Sequence, residues 1–239
     1  MLDRTTERLE RRTTFDLEAT GDTVDGESLK TGTTTVAVTA GDAVVVAADQ
    51  RASLGGRFVA NKDVRKVQSV ADTAALAMSG TVGPVQDLVR TLEAEANLYE
   101  ARRGEPLSVE GLASVAGNLV RGIPAQLLLG GVDAGGAHVF ELDGGGGVVP
   151  ATYGAAGSGM QVAYGVLEGR AEDVAAPERG RELALSAVAA ASQRDTASGN
   201  GAHVATVTTE GVDVEARSLD ELAAASPASA ADVAGGDAA

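Results

Sequence analysis

Runs of apolar residues along the chain predict a series of short strands. Residues 33–39 alternate between β-branched and smaller side chains, which is typical of a strand. Residues 43–48 form a continuous apolar run, which is typical of a buried strand. A Gly-Asp turn at 41–42 separates the two and indicates a hairpin. Further strands are predicted at 58–60, 66–70, 74–78, 127–132, 138–142, 203–208 and 212–216.

Helical periodicity begins near Pro84. Gly104 and Pro106 end this first helix, and Ser108 is a candidate N-cap for a second one. One stripe of the first helix carries the apolar residues Val85, Leu88, Val89, Leu92, Ala96 and Tyr99. The two consecutive amphipathic helices are expected to pair on one face of the fold.

The second half of the chain predicts more helices around a glycine-rich loop. The loop is predicted at 154–159, and helices are predicted at 160–169, 178–192 and 219–225. Blocks of strands therefore alternate with blocks of helices, which predicts an α+β layered sandwich.

Both ends of the chain differ in composition from the middle. Residues 1–32 are polar and charged with little apolar periodicity, and they predict a flexible leader. Residues 226–239 are mostly Ala, Ser, Gly and Asp, and they predict a disordered acidic tail. A single ordered domain is expected at 33–225.

Composition excludes several classes of function. The net charge of −15 excludes the basic footprint of a nucleic-acid binder. With no cysteine and two histidines, a thiolate zinc site, a Cys nucleophile and a His-rich metal site are excluded, and no cofactor is expected. No apolar run is long enough to span a membrane, and the leader lacks the apolar core of a signal peptide, so a soluble, cytoplasmic protein is expected.

Arginine greatly outnumbers lysine among the basic residues. Of the 19 basic residues only Lys30, Lys62 and Lys66 are lysines. Low Lys with abundant Asp, Glu, Ala, Gly and Val favours a halophilic protein, whose carboxylate-rich surface stays solvated when salt screens it. A GC-rich genome with ordinary acidic drift is the alternative. In either case, each retained lysine indicates a position that Arg does not serve.

Thr33 is the candidate nucleophile. It follows Gly32 at the boundary between the leader and the first strand, where cleavage would give one residue both a hydroxyl and a free α-amine. Such an amine has a pKa of about 7.7–8.0 and can take the hydroxyl proton without a histidine. The alternative is a Thr-rich edge strand that follows a disordered tail.

Several separate motifs extend this interpretation. Residues 33–53 read TTTVAVTAGDAVVVAADQRAS, and GGRFVANKDVRKV, AMSGTVG, GAAGSG, YGVLE and QRDTASG follow in order. Together they closely resemble the mature β subunit of the 20S proteasome, over nearly all of residues 33–225. The resemblance implies the four-layer αββα sandwich of the N-terminal-nucleophile hydrolases.

The resemblance also implies roles for individual residues. Thr33 matches the N-terminal nucleophile, Lys66 the catalytic lysine and Asp49 the acid that pairs with it. Gly80 matches the residue whose N–H forms the oxyanion hole, where a glycine would let substrate approach the main chain closely. The polar shell around the amine is matched by Ser158, Asp195 and Ser198. The peptide groove and its first specificity pocket are matched by Ala52, Ser53, Met78 and Val82.

Two departures from the family pattern are local. One extra residue is expected in the turn between Ser53 and Phe58, and Thr196 stands where many members have Ser. Small Ala52 and apolar Met78 predict a roomy, uncharged pocket and cleavage after hydrophobic residues.

The resemblance implies a zymogen that cleaves itself between Gly32 and Thr33 and then acts as a threonine endopeptidase. It implies homologous β subunits in a seven-membered ring, α subunits outside, an AAA-type regulatory ATPase and unfolded polypeptide substrates. Two alternatives stay open: a non-catalytic ring subunit, and another N-terminal-threonine amidohydrolase of the same fold that acts on small amides.

Overall fold

The computed structural model describes residues 32–54 and 56–218, and two antiparallel five-stranded sheets dominate this part of the chain. The predicted leader up to residue 31, the predicted helix at 219–225 and the predicted tail at 226–239 lie outside the described residues. The domain boundaries expected from the sequence therefore stay predictions.

The first sheet contains the strand that follows Thr33. Its five strands are β1 (Thr34–Ala40), β2 (Ala43–Asp49), β10 (Tyr153–Gly157), β11 (Gly201–Thr208) and β12 (Gly211–Ser218). Their order in the sheet is β10-β1-β2-β11-β12. Residues 35–40 of β1 pair with residues 43–48 of β2, which confirms the predicted hairpin.

The second sheet runs in chain order, and a short hairpin precedes it. The hairpin pairs β3 (Ala52–Leu54) with β4 (Phe58–Asn61). The second sheet consists of β5 (Val67–Ala71), β6 (Ala74–Gly80), β7 (Ala125–Asp133), β8 (Gly136–Asp143) and β9 (Val148–Ala151).

Four α-helices and one short 3-10 helix complete the described part of the chain. The Ser108 hydroxyl accepts a hydrogen bond from Gly111 N–H and caps the second helix as predicted. Gly104 ends the first helix in the left-handed conformation, with φ of 76°. The helices are α1 (Val82–Arg103), α2 (Val109–Val120), α3 (Met160–Leu167) and α4 (Pro177–Ser192), with the 3-10 helix at Ala171–Asp173.

Three apolar layers hold these elements together. Side chains of β1, β2 and β11 pack against α3 and α4 in one layer. Side chains of β6 and β7 pack against α1 and α2 in another. The third layer lies between the two sheets and consists mainly of Ala and Val. The secondary-structure elements therefore stack in the order helices, sheet, sheet, helices, which confirms the αββα sandwich.

Small residues bring the two sheets close together. A side chain at Gly130 on β7 would lie 2.6 Å from Val44 Cγ1 and 2.7 Å from Val46 Cγ2, both on β2 of the other sheet. The low aromatic content of 3% fits this thin inner layer, since large rings would hold the sheets apart.

The prediction of a glycine-rich loop at 154–159 is wrong for most of these residues. Tyr153–Gly157 is a strand that pairs with β1, and a turn follows it. A Cβ at Gly154 would lie 2.4 Å from Glu141 Oε1, and one at Gly157 would lie 2.0 Å from Thr33 O. The glycines allow close approach of a side chain from the second sheet and of the Thr33 backbone, a role that a local pattern does not distinguish from a turn.

The sequence analysis also missed two strands. Ala52–Leu54 has only three residues, and Val148–Ala151 contains Pro150. Pro is tolerated there because β9 is the last strand of its sheet.

We expect Gly130→Ala to lower the free energy of unfolding by about 1–3 kcal/mol, because the added methyl overpacks the layer between the sheets. Gly165→Ala is the matched control: it lies in α3 with no atom within 4 Å of an added Cβ. There, alanine should stabilise the protein by about 0.5–1 kcal/mol. Urea denaturation measures the free energy of unfolding of both variants. Equal values for Gly130→Ala and Gly165→Ala would contradict the close approach of the sheets.

Candidate active site

Thr33 lies immediately before β1 and is almost fully buried, with an exposed fraction of 1%. Its hydroxyl donates to the carbonyl oxygen of Gly32 at 2.7 Å, and its N–H donates to Ser158 Oγ at 3.1 Å. The Thr33 oxygen is therefore held against the peptide bond that joins it to Gly32.

Gly32 has no space for a side chain. An added Cβ would lie 1.8 Å from Ala197 Cβ and 2.9 Å from Ser158 Oγ. Glycine at this position therefore lets the Gly32–Thr33 peptide lie directly against the polar residues around it.

Asp49 ends β2 and accepts four hydrogen bonds. Oδ1 accepts from Thr34 N–H at 2.9 Å and from Lys66 Nζ at 2.8 Å. Oδ2 accepts from the N–H groups of Arg51 at 2.9 Å and Gly199 at 3.0 Å. The carboxylate is fully buried, and every one of these donors requires one of its lone pairs.

Lys66 precedes β5 and is also buried, with an exposed fraction of 5%. Besides its ion pair with Asp49, the ammonium donates to the carbonyl oxygen of Arg51 at 2.5 Å. An ammonium of this compact shape fits between the two oxygens, whereas a guanidinium is planar and larger.

Burial lowers the pKa of the Lys66 amine, against the attraction of Asp49. Burial also raises the pKa of the Asp49 carboxyl, while Lys66 and two backbone N–H groups act in the opposite direction. The four donors around Asp49 fit the ionised carboxylate. A Lys66 amine whose pKa is lowered gives up a proton more readily than an ordinary lysine.

Asp195 lies in the segment after α4 and joins two serines. Its Oδ2 accepts from Ser158 Oγ and from Ser198 Oγ, each at 2.6 Å. Since Ser158 also accepts from Thr33 N–H, this polar cluster lies directly beside the Thr33 nitrogen. The structure thus brings the predicted shell residues together.

A cavity of about 440 Å³, counted to its open mouth, lies beside Thr33. Thr33, Lys66 and Gly80 all line it. The predicted groove residues Ala52, Met78 and Val82 line it as well. Most of the exposed lining surface is apolar.

The lining also differs from the prediction. Ser53 does not line the cavity: it is buried, and its Oγ has no hydrogen-bond partner among the described residues. The expectation of an uncharged pocket is wrong, because Arg65 lines it next to Lys66. The sequence analysis missed several lining residues, namely Val64, Arg65, Gln68, Ser79, Thr81, Val85 and Gln86.

The structure gives two reasons for glycine at position 80 that the sequence analysis did not state. Its φ of +123° is a conformation that other residues rarely adopt. An added Cβ would lie 2.4 Å from Pro124 O and 2.7 Å from Ala125 Cα. The positive φ and the packing of the chain around Pro124 therefore each require glycine here.

Arg51 is a further residue of the site that the sequence analysis did not single out. Its guanidinium donates to Asn200 Oδ1 at 3.0 Å and to Thr196 O at 2.8 Å. Arg51 thus links the Asp49–Lys66 pair to the segment that carries Asp195. Only its position two residues after Asp49 could have indicated this role.

Neither histidine contributes to the cavity lining. His138 pairs with Asp133 at the turn between β7 and β8. His203 is buried on β11, with Nε2 lying 3.4 Å from Gln50 Nε2. A Ser-His-Asp arrangement is therefore not present at this site.

Residues 32–54 and 56–218 contain no group of three or more His, Cys, Asp or Glu residues arranged to hold a metal ion. In the same ranges, no helix has the length and apolar character needed to cross a membrane.

Comparison with known proteins gives one consistent result. The family model described as "Proteasome subunit" matches residues 29–207. A "Proteasome subunit beta" of Halorhabdus utahensis is 51% identical over 210 residues, which cover 86% of this chain and 89% of the relative. A protein of the same description from Halomicrobium mukohataei is 53% identical, over 81% of this chain and 83% of the relative. The "Proteasome subunit beta 1" of Haloarcula marismortui is 51% identical, over 81% and 82%.

We expect Asp49→Asn to lower the free energy of unfolding by about 3–5 kcal/mol, because it leaves the Lys66 ammonium buried without a counter-charge. The double variant Asp49→Asn/Lys66→Met should recover part of this loss. Glu182→Gln is the control: it breaks the exposed Arg179–Glu182 pair and should cost less than about 1 kcal/mol. Thermal and urea denaturation measure all three, and an Asp49→Asn protein as stable as wild type would exclude a buried ion pair.

Proposed function

Because this chain belongs to the proteasome subunit family, we propose that it is a β-type subunit of a 20S core particle with Thr33 as its nucleophile. One observation carries the proposal. The Thr33 hydroxyl lies against the Gly32 carbonyl, in a cavity that also contains Lys66 and Gly80. The reaction is hydrolysis of peptide bonds in unfolded polypeptides.

Thr33 first acts on its own chain. Its Oγ1 attacks the carbonyl carbon of Gly32, and the bond between that carbon and the Thr33 nitrogen breaks as the nitrogen takes up the proton that the hydroxyl loses. The resulting ester between Gly32 and Thr33 is then hydrolysed by water. This frees the leader as a carboxylic acid and leaves Thr33 with both a hydroxyl and an α-amine.

The mature site repeats this chemistry on substrates. The neutral amine accepts the proton of Oγ1 as the oxygen attacks a peptide carbonyl. The developing oxyanion is stabilised by the Gly80 N–H, the bond to the leaving amine breaks, and water hydrolyses the acyl-enzyme. Lys66 lies in the same cavity, where its positive charge favours the deprotonated Thr33 oxygen.

The polar residues around the Thr33 nitrogen prepare this amine. Ser158 accepts a hydrogen bond from the nitrogen and donates its own proton to Asp195. The mostly apolar cavity receives the side chain that precedes the cleaved bond, and hydrophobic residues are preferred there.

The assembly that the resemblance implies agrees with the low sequence selectivity of such a nucleophile. A nucleophile that cleaves many sequences is safe only where folded proteins cannot reach it. We therefore include in the proposal the enclosed assembly that the family resemblance implies, a seven-membered ring of β subunits in the cytoplasm, flanked by α subunits. An AAA-type ATPase would supply the unfolded substrates.

The proposal predicts that the assembled wild-type subunit has lost residues 1–32. Thr33→Ala should retain leader residues, at least next to position 33, because it lacks the attacking oxygen. Gly32→Val should also retain the leader, since its side chain collides with Ala197. Intact mass spectrometry of purified particles measures all three, and a wild-type particle that keeps Gly32 would refute the mechanism.

Lys66→Arg keeps the positive charge but should reduce peptidase activity at least about 100-fold, because a guanidinium does not fit between Asp49 and the Arg51 carbonyl. Hydrolysis of a fluorogenic peptide is measured per assembled particle. Arg57→Lys is the control at an exposed position and should stay near the wild-type rate. Normal turnover in Lys66→Arg would show that the lysine has no part in the reaction.

Removal of residues 1–32 leaves 26 acidic and 14 basic residues, and a ring multiplies this excess of negative charge. The Debye length is about 10 Å at 0.1 M salt and about 3 Å at 1 M. We therefore expect particles that are stable in molar salt to dissociate at low salt. Sedimentation at both salt concentrations measures the dissociation. An intact, active particle at low salt would contradict the halophilic interpretation of the composition but not the proposed peptidase function.

A further inference from the structure

Thr34, the residue after the proposed nucleophile, contacts Asp49 directly and is linked to Asp195 through Ser198. Its N–H donates to Asp49 Oδ1 at 2.9 Å. Its hydroxyl oxygen lies 2.7 Å from Ser198 Oγ, and Ser198 in turn contacts Asp195. Thr34 is fully buried and does not line the cavity, so it does not face the substrate.

The direction of these hydrogen bonds follows from counting protons. A serine hydroxyl has one proton to donate. Ser198 and Ser158 each donate that proton to Asp195 Oδ2. Ser198 can therefore only accept from Thr34, just as Ser158 accepts from the nitrogen of Thr33. Two chains of hydrogen bonds thus converge on one carboxylate oxygen.

The surroundings leave the Thr34 hydroxyl little freedom. An added Cβ at Gly159 would lie only 2.0 Å from Thr34 Oγ1 and 3.3 Å from Asp195 Oδ2. Ser198 is fully buried, so no solvent reaches its oxygen to replace a lost donor. Without the Thr34 hydroxyl, Ser198 would have an unsatisfied lone pair and could turn its proton away from Asp195.

We propose that Thr34 is a positioning residue for the peptidase reaction, an inference that rests on the proposed function. Its hydroxyl fixes the proton of Ser198 on Asp195. Asp195, held in this way, keeps Ser158 oriented as the acceptor for the Thr33 amine. Thr34 thus sets the direction of the amine that takes the proton from the nucleophile, through a chain of four hydrogen bonds.

The test compares Thr34→Ala with Thr34→Ser, because the two variants differ by a single oxygen atom. Valine is unsuitable, since a methyl group cannot approach Ser198 Oγ as closely as the 2.7 Å of the native contact. We expect kcat to be about five- to tenfold lower in Thr34→Ala than in Thr34→Ser, with KM equal in both. Rates are measured on a fluorogenic peptide and expressed per processed subunit, counted by intact mass.

Thr35 supplies the matched control. It is the next residue of β1 and is buried, and within the described part of the chain its hydroxyl makes one hydrogen bond, to the carbonyl oxygen of Ala156 at 3.3 Å. Thr35→Ala and Thr35→Ser should therefore show the same kcat. A difference at position 35 as large as that at position 34 would overturn the proposal, because it would reflect packing of the strand.

A second measurement uses Ser198→Ala. If Thr34 acts through Ser198, adding Thr34→Ala to Ser198→Ala should cause no further loss of kcat. Additive losses would overturn the proposal. If Thr34→Ala blocks removal of the leader, the processed fraction becomes the readout. Processing in Thr34→Ser but not in Thr34→Ala supports the proposal, and failure in both overturns it.

The same experiment separates this inference from the proposed function. If the wild-type particle has no peptidase activity that Thr33→Ala removes, the proposed function itself is refuted. An active wild type with equal kcat in Thr34→Ala and Thr34→Ser would refute only the role of Thr34.

Discussion

The buried carboxylate of Asp49 is the group on which the geometry of the site depends. It accepts hydrogen bonds from Thr34, Arg51, Gly199 and Lys66, which lie on four separate segments of the chain. A buried charge without such partners would cost several kcal/mol, so the four segments are held together wherever the carboxylate is ionised. The start of β1 is thereby fixed next to the lysine.

The layered fold explains how this contact becomes a site. Sheet packing through small Ala, Val and Gly residues brings β1 and β2 close to β6 and β7. The end of β6 carries Gly80, and the start of β1 follows Thr33, so both reach the same cavity. The hydrogen bonds around Asp195 then act on a nitrogen whose position the sheet has already set.

The sequence predicted most elements because their apolar periodicity is strong. The hairpin of β1 and β2, the helices α1 and α2 and the paired strands β7 and β8 all follow from local pattern. The strand at Tyr153–Gly157 did not, because its glycines serve contacts with Glu141 and Thr33 that are distant in sequence. Local rules assign such glycines to turns.

The candidate site likewise divides into residues that sequence motifs predict and contacts that appear only in the folded chain. The residues that match the family motif, such as Thr33, Asp49 and Lys66, are brought together as the resemblance implies. The contact between Thr34 and Ser198 depends on long-range packing, and no local signal indicates it. For the Arg51 guanidinium, the position two residues after Asp49 is the one local indication. The positive φ of Gly80 and its packing against Pro124 likewise emerge only from the structure.

The central claim is that Thr33 has a nucleophilic hydroxyl and a free amine on one residue. A peptide epoxyketone tests it most directly, because this electrophile needs both groups to form a stable ring. We expect one adduct per processed subunit, located by peptide mass spectrometry on a fragment that begins with Thr33. An adduct at another residue, or none in a particle that hydrolyses peptides, would contradict the claim.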